Sequence, residues 1–225
     1  MRLIFIRHPQ TQANVDGLIY GRTESGYSEG GRATIPGILK ALQDVSVDAI
    51  ISSPLQRTRH LAERIAADHG LREEDILIDH RMVEAHCGIL ENLTVEEAVE
   101  KYREEYNAMM EDYENYVIPG GESLTMVYER VAGFLEEIYS RYEAPRQQAK
   151  DRGETAPREK TVVVTAHSVV IHVALAYLLK LSLKEIWHIK IEPGAVVDLD
   201  YRYEFAMLQG LSGPFNIRDM NDHVS

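Results

Sequence analysis

The strongest constraint on the fold is a pair of short apolar runs that each lead into a histidine. The first, LIFI at residues 3–6, is followed by Arg7 and His8, and the second, TVVVT at residues 161–165, leads into His167. Runs of this length and composition are typical of buried strands. Because ligands in open α/β sheets bind at the carboxyl ends of strands, we expect the two histidines to meet across one crevice.

Short apolar runs alternate with helix-period segments along the rest of the chain. This alternation is typical of a sheet that is covered by helices on both faces, and we therefore predict an α/β fold. Further strands are predicted at residues 49–51, 76–78, 196–199 and 203–208, the last two as a hairpin around 200–202.

Capping signals and apolar periodicity predict the helices. One helix is predicted at 29–42, and Pro36 and Gly37 are expected to kink or split it. A second is predicted from an N-cap at Ser53 to about Gly70, and a third from a capping box at Thr94 and Glu97 to about Met110. A fourth is predicted over 124–138. Residues 143–160 lack periodicity and are predicted to form an exposed connection. No element is predicted from Gly210 onward.

Charge and length limit the class of protein. The chain has 225 residues, which suffices for one well-buried domain, and its formal net charge is −12. An acidic surface repels phosphodiesters and anionic lipids, so we expect neither nucleic acid nor a membrane as a partner. Cys87 is the only cysteine, and no apolar run is long enough for a signal peptide or a membrane span, so a cytoplasmic location is expected. The sequence does not determine the oligomeric state, and a homodimer is among the candidates.

Common catalytic motifs are missing from the sequence. It contains no GxxxxGK[ST] loop, no GxGxxG after the first strand and no paired CxxC, and its GxSxG match, GYSEG at residues 26–30, does not follow a predicted strand and so is not a nucleophile elbow. His80, Glu84 and His86 match no strong metal-ligand spacing, and a partly exposed acidic turn explains them equally well. We therefore expect neither a metal ion nor another cofactor.

The positive signal is a set of polar residues close to predicted strand-to-helix transitions. It supplies two guanidinium groups, two imidazoles, an amide and a carboxyl group: Arg7, Arg57, His8, His167, Asn14 and Glu84. A phosphate monoester carries nearly two negative charges, and planar arginine side chains bind its oxygens in pairs. The set therefore favours a small phosphorylated substrate.

The chain resembles the histidine phosphatase superfamily, also called phosphoglycerate-mutase-like, over nearly its whole length. The residues that carry the resemblance are LIFIRHPQTQAN with YGRTESGYSEGGR behind it, then SSPLQRTRHLAE, VEAHCGILENLT, PGGES and VVVTAHSVVIHVAL. The resemblance implies a three-layer α/β/α domain over residues 1–225, with a mixed, mostly parallel sheet and an inserted helical flap at about 85–122. It also implies catalysis through a phosphohistidine.

Position by position, the resemblance assigns a role to each site residue. His8 is the expected nucleophile, Glu84 the expected proton donor, and Asp79, Glu91 and Glu96 are nearby alternatives to Glu84. The expected phosphate clamp is Arg7, Arg57 and His167, with Asn14 and Thr23 bordering the pocket. The sequence departs from the family pattern at Pro9 and Ser168, where glycine is common. Neither change removes a charged group that the mechanism requires, so activity is still expected.

The flap bears on whether such a protein is a phosphatase or a mutase. Residues 94–116 contain eight acidic side chains against Lys101 and Arg103, whereas a mutase needs extra cations for its doubly charged substrate. We therefore expect a metal-independent phosphomonoesterase, with a phosphoglycerate mutase and a catalytically idle phosphate-binding module as alternatives. Five flap side chains are expected either to contact the leaving group or to form the flap core: Tyr102, Tyr106, Met109, Met110 and Tyr113.

Overall fold

The computed structural model describes residues 1–213 and places six strands in one sheet. The strands are β1 (Arg2–Arg7), β2 (Ala49–Ser52), β3 (Leu77–Ile78), β4 (Thr161–Ala166), β5 (Val196–Arg202) and β6 (Phe205–Ser212). Their order across the sheet is β3-β2-β4-β1-β5-β6. The pairs within β3-β2-β4-β1 are parallel, and β5 pairs antiparallel with both β1 and β6. The predicted mixed, mostly parallel sheet is confirmed.

Helices cover both faces of the sheet. They are α1 (Gln12–Val15), α2 (Glu29–Leu42), α3 (Gln56–Asp68), α4 (Val95–Lys101), α5 (Arg103–Glu111), α6 (Leu124–Tyr142), α7 (Ala144–Asp151) and α8 (Ser168–Leu179). Leu3 and Phe5 of β1 belong to the core that α6 and α8 complete, while Ile4 and Ile6 belong to the core under α2 and α3. A strand sends alternate side chains to opposite faces, so one short apolar run anchors both layers.

Strand register brings three chain segments to the same edge of the sheet. Arg7 is aligned with Ala166 across β1 and β4, and Ser52 is aligned with Thr165 across β2 and β4. The residues that follow these strands, His8, His167 and Ser53, therefore leave the sheet side by side. This edge is the carboxyl end of three parallel strands, where the sequence predicts the site.

Two helix predictions at the site need correction. Ser53 is not a helix N-cap: α3 begins at Gln56 after Leu55, and the Ser53 hydroxyl is buried against the His167 ring. The predicted helix from Thr94 to Met110 does have its capping box, but it divides into α4 and α5. The backbone of Tyr102, with φ −134° and ψ 49°, leaves helical geometry at that point. By contrast, α2 runs unbroken through Pro36.

The predicted exposed connection at residues 143–160 is wrong over its first half. Residues 144–151 form α7, and Glu143 before it is fully buried beside the Met1 nitrogen. Ala149 is the one residue of α7 that is buried, so the sequence of this helix does not show apolar residues at the spacing of a helical turn.

The hairpin lies slightly later than predicted. Residues 200–202 are still part of β5, and the turn is formed by Tyr203 and Glu204, which both have positive φ. Two such residues in succession match the twist of a two-residue hairpin loop. Strand β6 continues through Ser212, where no element was predicted, and the remainder of the predicted tail lies outside the described residues.

Candidate active site

His8 begins the loop after β1, and its ring is buried. The His8 N–H donates to the carbonyl oxygen of Ala166 at 3.1 Å, which ties the end of β1 to β4. Nδ1 of the ring lies 2.7 Å from the Pro9 carbonyl oxygen. A carbonyl oxygen only accepts, so Nδ1 carries the proton of the neutral ring and Nε2 keeps its lone pair. Burial, with Arg57 and Arg7 nearby, lowers the pKa of His8 well below its usual value.

His167 lies beside His8, at the position before α8. The two ring centroids are 5.3 Å apart and the rings are tilted by 58°. Nδ1 of His167 accepts from Nε of Arg57 at 3.3 Å, and Nε2 donates to the Ser53 hydroxyl at 2.7 Å. Burial, followed by the charge of Arg57, lowers the pKa of His167 well below its usual value. The structure therefore places two neutral imidazoles next to each other.

Arg57 is among the largest fully buried side chains. Besides the contact with His167, its Nη1 donates to the carbonyl oxygen of Thr23 at 2.8 Å, and its Nη2 donates to that of Gly21. The Tyr20 ring covers the guanidinium group, with the central carbon 4.9 Å from the ring centroid. These hydrogen-bond partners are neutral. The Glu24 carboxylate lies 3.9 Å from Nη1, but it is partly exposed to water and offsets the charge only weakly, so the cation stays available to an anion.

Arg7 supplies the second cation. Its Nη1 donates to the Ile191 carbonyl oxygen at 2.6 Å, while its Nε is buried and has no acceptor among the described residues. Burial lowers the pKa of Arg7, and the nearby carboxylate of Glu84 opposes that shift. A buried donor without an acceptor is costly, and an oxygen of a bound anion would satisfy it.

Glu84 is buried, and it lies close enough to Arg7 for its charge to act on that side chain. One carboxylate oxygen accepts from the backbone N–H of Val169 at 3.2 Å, and the other accepts from the N–H of Ala85 at 2.9 Å. Val169 is in the first turn of α8, where free N–H groups favour a carboxylate. The structure thus brings together Arg7, His8, Arg57, Glu84 and His167, five residues that the sequence analysis singled out.

Asn14 and Thr23, which are expected to border the pocket, make hydrogen bonds within the protein. Oδ1 of Asn14 accepts from the backbone of Thr11 at 3.1 Å and from the Tyr20 hydroxyl at 2.9 Å. The Thr23 hydroxyl donates to Glu91 at 2.7 Å, and the Thr23 carbonyl holds Arg57. Both residues therefore help to position Arg57: Asn14 holds Tyr20, whose ring covers the guanidinium group, and Thr23 accepts a hydrogen bond from it. Their contact with substrate stays a prediction.

Sequence reasoning missed the importance of Glu91 and treated it only as an alternative proton donor. Its carboxylate accepts from the N–H groups of Gly21, Arg22, Thr23 and Cys87 at 3.0–3.2 Å. Partial burial opposes ionisation, but the hydrogen bonds from Thr23 and the backbone outweigh it and lower the pKa of Glu91. An acid that stays ionised and fully engaged is an anchor for the 21–23 loop rather than a proton donor.

Comparison with known proteins identifies the family. The model of the histidine phosphatase superfamily (branch 1) matches residues 3–212. The chain belongs to this superfamily. Phosphoserine phosphatase 1 of Hydrogenobacter thermophilus is 32% identical over 187 residues, which cover 83% of this chain and 80% of that protein. Adenosylcobalamin/alpha-ribazole phosphatase of Escherichia coli K12 is 25% identical over 214 residues, covering 94% and 96%.

Solved structures of this superfamily share the fold. The crystal structure of the alpha-ribazole phosphatase from Shigella flexneri matches with a TM-score of 0.78 and 26% identity, and the match covers 95% of this chain and 96% of that one. The predicted family and fold class are confirmed, and so is the enzyme class, because the relatives are named phosphatases.

In this member of the histidine phosphatase superfamily, a cavity of about 300 Å³ lies beside Glu84, between α8 and the flap helix α5. Ala85 and Val169, the two residues that donate to Glu84, form part of its wall. Of the five flap side chains considered as leaving-group contacts, Tyr106, Met109 and Tyr113 line the cavity. Tyr102 and Met110 do not, and Met110 is 57% exposed.

The predictions about metals and membranes meet two further observations. Among residues 1–213, no three His, Cys, Asp or Glu side chains are grouped so that they could hold a metal ion. Over the same range, no helix is both long and apolar enough to cross a lipid bilayer. Metal independence and the cytoplasmic location stay predictions.

Proposed function

We propose that this protein hydrolyses a small phosphate monoester through a phosphohistidine on His8, without a metal ion. The observation that carries the proposal is the state of the His8 ring. Its Nδ1 proton is held by the Pro9 carbonyl, and its pKa is lowered by burial and by two guanidinium groups. The Nε2 lone pair is therefore ready for attack at neutral pH.

The first step is transfer of the phosphoryl group to His8. Nε2 forms a bond to phosphorus as the bond from phosphorus to the ester oxygen breaks, and Glu84 gives a proton to the departing alcohol. Glu84 is buried and close enough for its charge to act on Arg7. In the second step the Glu84 carboxylate takes a proton from water, the water oxygen bonds to phosphorus, and the bond to Nε2 breaks.

Arg7 and Arg57 stabilise the phosphoryl oxygens in both steps. Arg57 is fixed by three contacts to neutral groups, and Arg7 keeps a buried Nε free for an anion. Charges that are fixed before the reaction need no reorganisation, which makes them effective against the charge of the transition state. His167, neutral and bonded to Ser53, adds a polar group next to His8.

The test is release of inorganic phosphate from phenyl phosphate in the presence of a metal chelator. We expect turnover by the wild type, an acid-labile and base-stable phosphoryl group on the protein after rapid quenching, and loss of both in His8→Ala. His60→Ala is the matched control, because His60 is exposed on α3 and outside the site. Turnover that persists in His8→Ala, or that disappears with the chelator, would contradict the proposal.

The same preparations separate the two alternatives. A mutase would isomerise phosphoglycerate, with stimulation by bisphosphoglycerate, and an idle module would bind phosphate without turnover. The acidic flap and Ala85 in the position after Glu84, where typical mutases have arginine, favour hydrolysis. We expect no isomerisation above the rate of phosphate release.

A further inference from the structure

The cavity beside Glu84 is placed to receive the alcohol part of the substrate. A proton donor must lie within hydrogen-bond reach of the oxygen that it protonates, so the ester oxygen faces Glu84. The backbone of Ala85 and Val169 holds the Glu84 carboxylate, and the same two residues form a wall of the cavity. Neither Glu84 nor His8 lines the cavity, but the cavity adjoins the backbone that holds the Glu84 carboxylate, so it is the space next to an alcohol whose oxygen meets Glu84.

The lining of the cavity is mostly apolar and aromatic. Its volume of about 300 Å³ is at the lower end of the range for small-molecule sites, so the group that fills it is small. Most of the apolar and aromatic lining comes from the flap, and the rest comes from the segment after α1, the start of α6 and the start of α8: Ile19, Ala85, Leu90, Val95, Tyr106, Met109, Tyr113, Tyr116, Ile118, Leu124 and Val169.

No free cation faces this cavity among the described residues. Its lining includes Glu122 and His86 but no lysine or arginine. Two arginines reach this part of the lining, and both contact Glu122 itself: Arg22 at 3.2 Å, and Arg130 through two bonds of 3.0 and 3.1 Å. A carboxylate on the alcohol would therefore be removed from water without a partner, which is unfavourable.

We propose that the physiological substrate is the phosphate monoester of a small, uncharged alcohol with an apolar or aromatic body. The inference rests on the proposed function, because it uses Glu84 as the proton donor that orients the ester. Phosphorylated hydroxy acids and phosphorylated amino acids, which carry a carboxylate close to the ester, are poor substrates. The preference differs from the substrate named for the Hydrogenobacter thermophilus relative.

The test compares benzyl phosphate with para-carboxybenzyl phosphate. The methylene group keeps the acidity of the two leaving alcohols nearly equal, so the two esters have similar intrinsic reactivity. A difference in kcat/KM therefore measures how well the cavity accepts the carboxylate. We expect benzyl phosphate to be favoured by about tenfold or more, the scale on which an apolar pocket discriminates. O-Phosphoserine and phosphoglycerate are expected to fall with the carboxylated ester.

A pair of variants on α5 tests the location of this preference. Met109→Lys places an ammonium group in the cavity, and we expect the benzyl to carboxybenzyl ratio to fall by about tenfold. Met110→Lys adds the same charge one residue along, where the side chain is exposed and outside the cavity, and should leave the ratio unchanged. Val95→Lys, at a lining position that is 45% exposed, repeats the first test where the fold tolerates a charge.

The outcomes separate the inference from the function. If both esters are hydrolysed equally well and His8→Ala abolishes both activities, the function stands and the inference is wrong. Equal changes of the ratio in Met109→Lys and Met110→Lys would also overturn it. If the wild type hydrolyses neither ester nor any other phosphate monoester, the proposed function fails and the inference fails with it.

Discussion

Nε of Arg57 donates to Nδ1 of His167 at 3.3 Å, and this contact links α3 to the end of β4. The other two guanidinium nitrogens donate to carbonyl oxygens of the 21–23 loop. One side chain therefore fixes the tautomer of His167 and the position of that loop together. The planar shape of the guanidinium group makes this possible, since a lysine ammonium has no comparable fork.

Arg57→Lys should consequently impair catalysis although it preserves the charge. We expect kcat/KM to fall by about a hundredfold, the scale of losing one oriented donor to a transition state. Arg59→Lys, at an exposed position of the same helix, should stay within about twofold of the wild type. Steady-state kinetics on phenyl phosphate give both values, and equal rates for the two variants would contradict the role of Arg57.

Stability should fall on mild acidification because His8 and His167 are buried in neutral form. Both have a pKa well below 6.5 in the folded protein. From about pH 6.5 downward, the unfolded chain binds protons at these rings and the folded protein does not, so the free energy of unfolding falls with pH. Each ring contributes a slope of up to about 1.4 kcal/mol per pH unit.

Urea unfolding between about pH 7.5 and pH 5 measures that slope, provided unfolding is two-state. His167→Gln should reduce the slope by the contribution of one ring, whatever its effect on absolute stability. His60→Gln removes an exposed histidine and should leave the slope unchanged. A slope in His167→Gln equal to that of the wild type would show that the His167 ring does not contribute to it.

Sequence alone identifies the strands that define the site, because the residues that make them are buried on both faces. The run at 3–6 is apolar throughout and the run at 161–165 is β-branched throughout, so both patterns can be recognised without knowledge of the neighbours. Helix α7 is different. It buries little beyond Ala149 and depends on tertiary contacts of Glu143, which no local pattern reports.

At the site, too, sequence predicts some features and not others: it predicts the charged residues, but not the backbone contacts that position them. Arg7, His8 and His167 are recognisable because they end or directly follow buried strands at the carboxyl edge of the sheet. Arg57 and Glu84 lie farther from a strand end, and their roles come from the family resemblance. Glu91 is not recognisable in this way, since its function depends on four N–H groups that converge on it only after the 21–23 loop has folded. Ser53 likewise has a plausible capping pattern, but its hydroxyl is taken by His167.

Glu91→Gln should weaken both stability and catalysis. A glutamine presents an NH₂ group to backbone donors that need acceptors, and we expect a loss of about 1–3 kcal/mol in the free energy of unfolding. Because the pKa of Glu91 is lowered on folding, the stability that its carboxylate contributes is present above about pH 4.5 and is lost as the pH falls through the folded pKa.

The matched control for this change is Glu96→Gln, a nearby exposed acid in α4 that the sequence also offers as a proton donor. It should alter neither the unfolding free energy nor kcat/KM by a measurable amount. If Glu91 were the proton donor, the Gln variant would lose activity while keeping its stability. Loss of stability at about pH 7 together with activity supports the anchoring role instead.

A substitution at Gly21 tests the packing of the backbone in the same 21–23 loop. A Cβ at this position would lie well inside contact distance of the Ala85 carbonyl oxygen, so the 21–23 loop has no room for a side chain. Gly21→Ala must move that loop or the segment after Glu84, and both movements displace an acceptor of Arg57 or the support of Glu84. We expect a loss of about 1–3 kcal/mol in unfolding free energy, with at least a tenfold loss in kcat/KM.

Gly26→Ala is the control for that prediction, because a Cβ there meets nothing within 4 Å and the backbone does not have positive φ. It should keep wild-type activity and gain or keep stability, since alanine restricts the unfolded chain. Calorimetry and kinetics on the two variants give a direct comparison. Equal behaviour of Gly21→Ala and Gly26→Ala would show that the contact between the loop and Ala85 does not hold the site together.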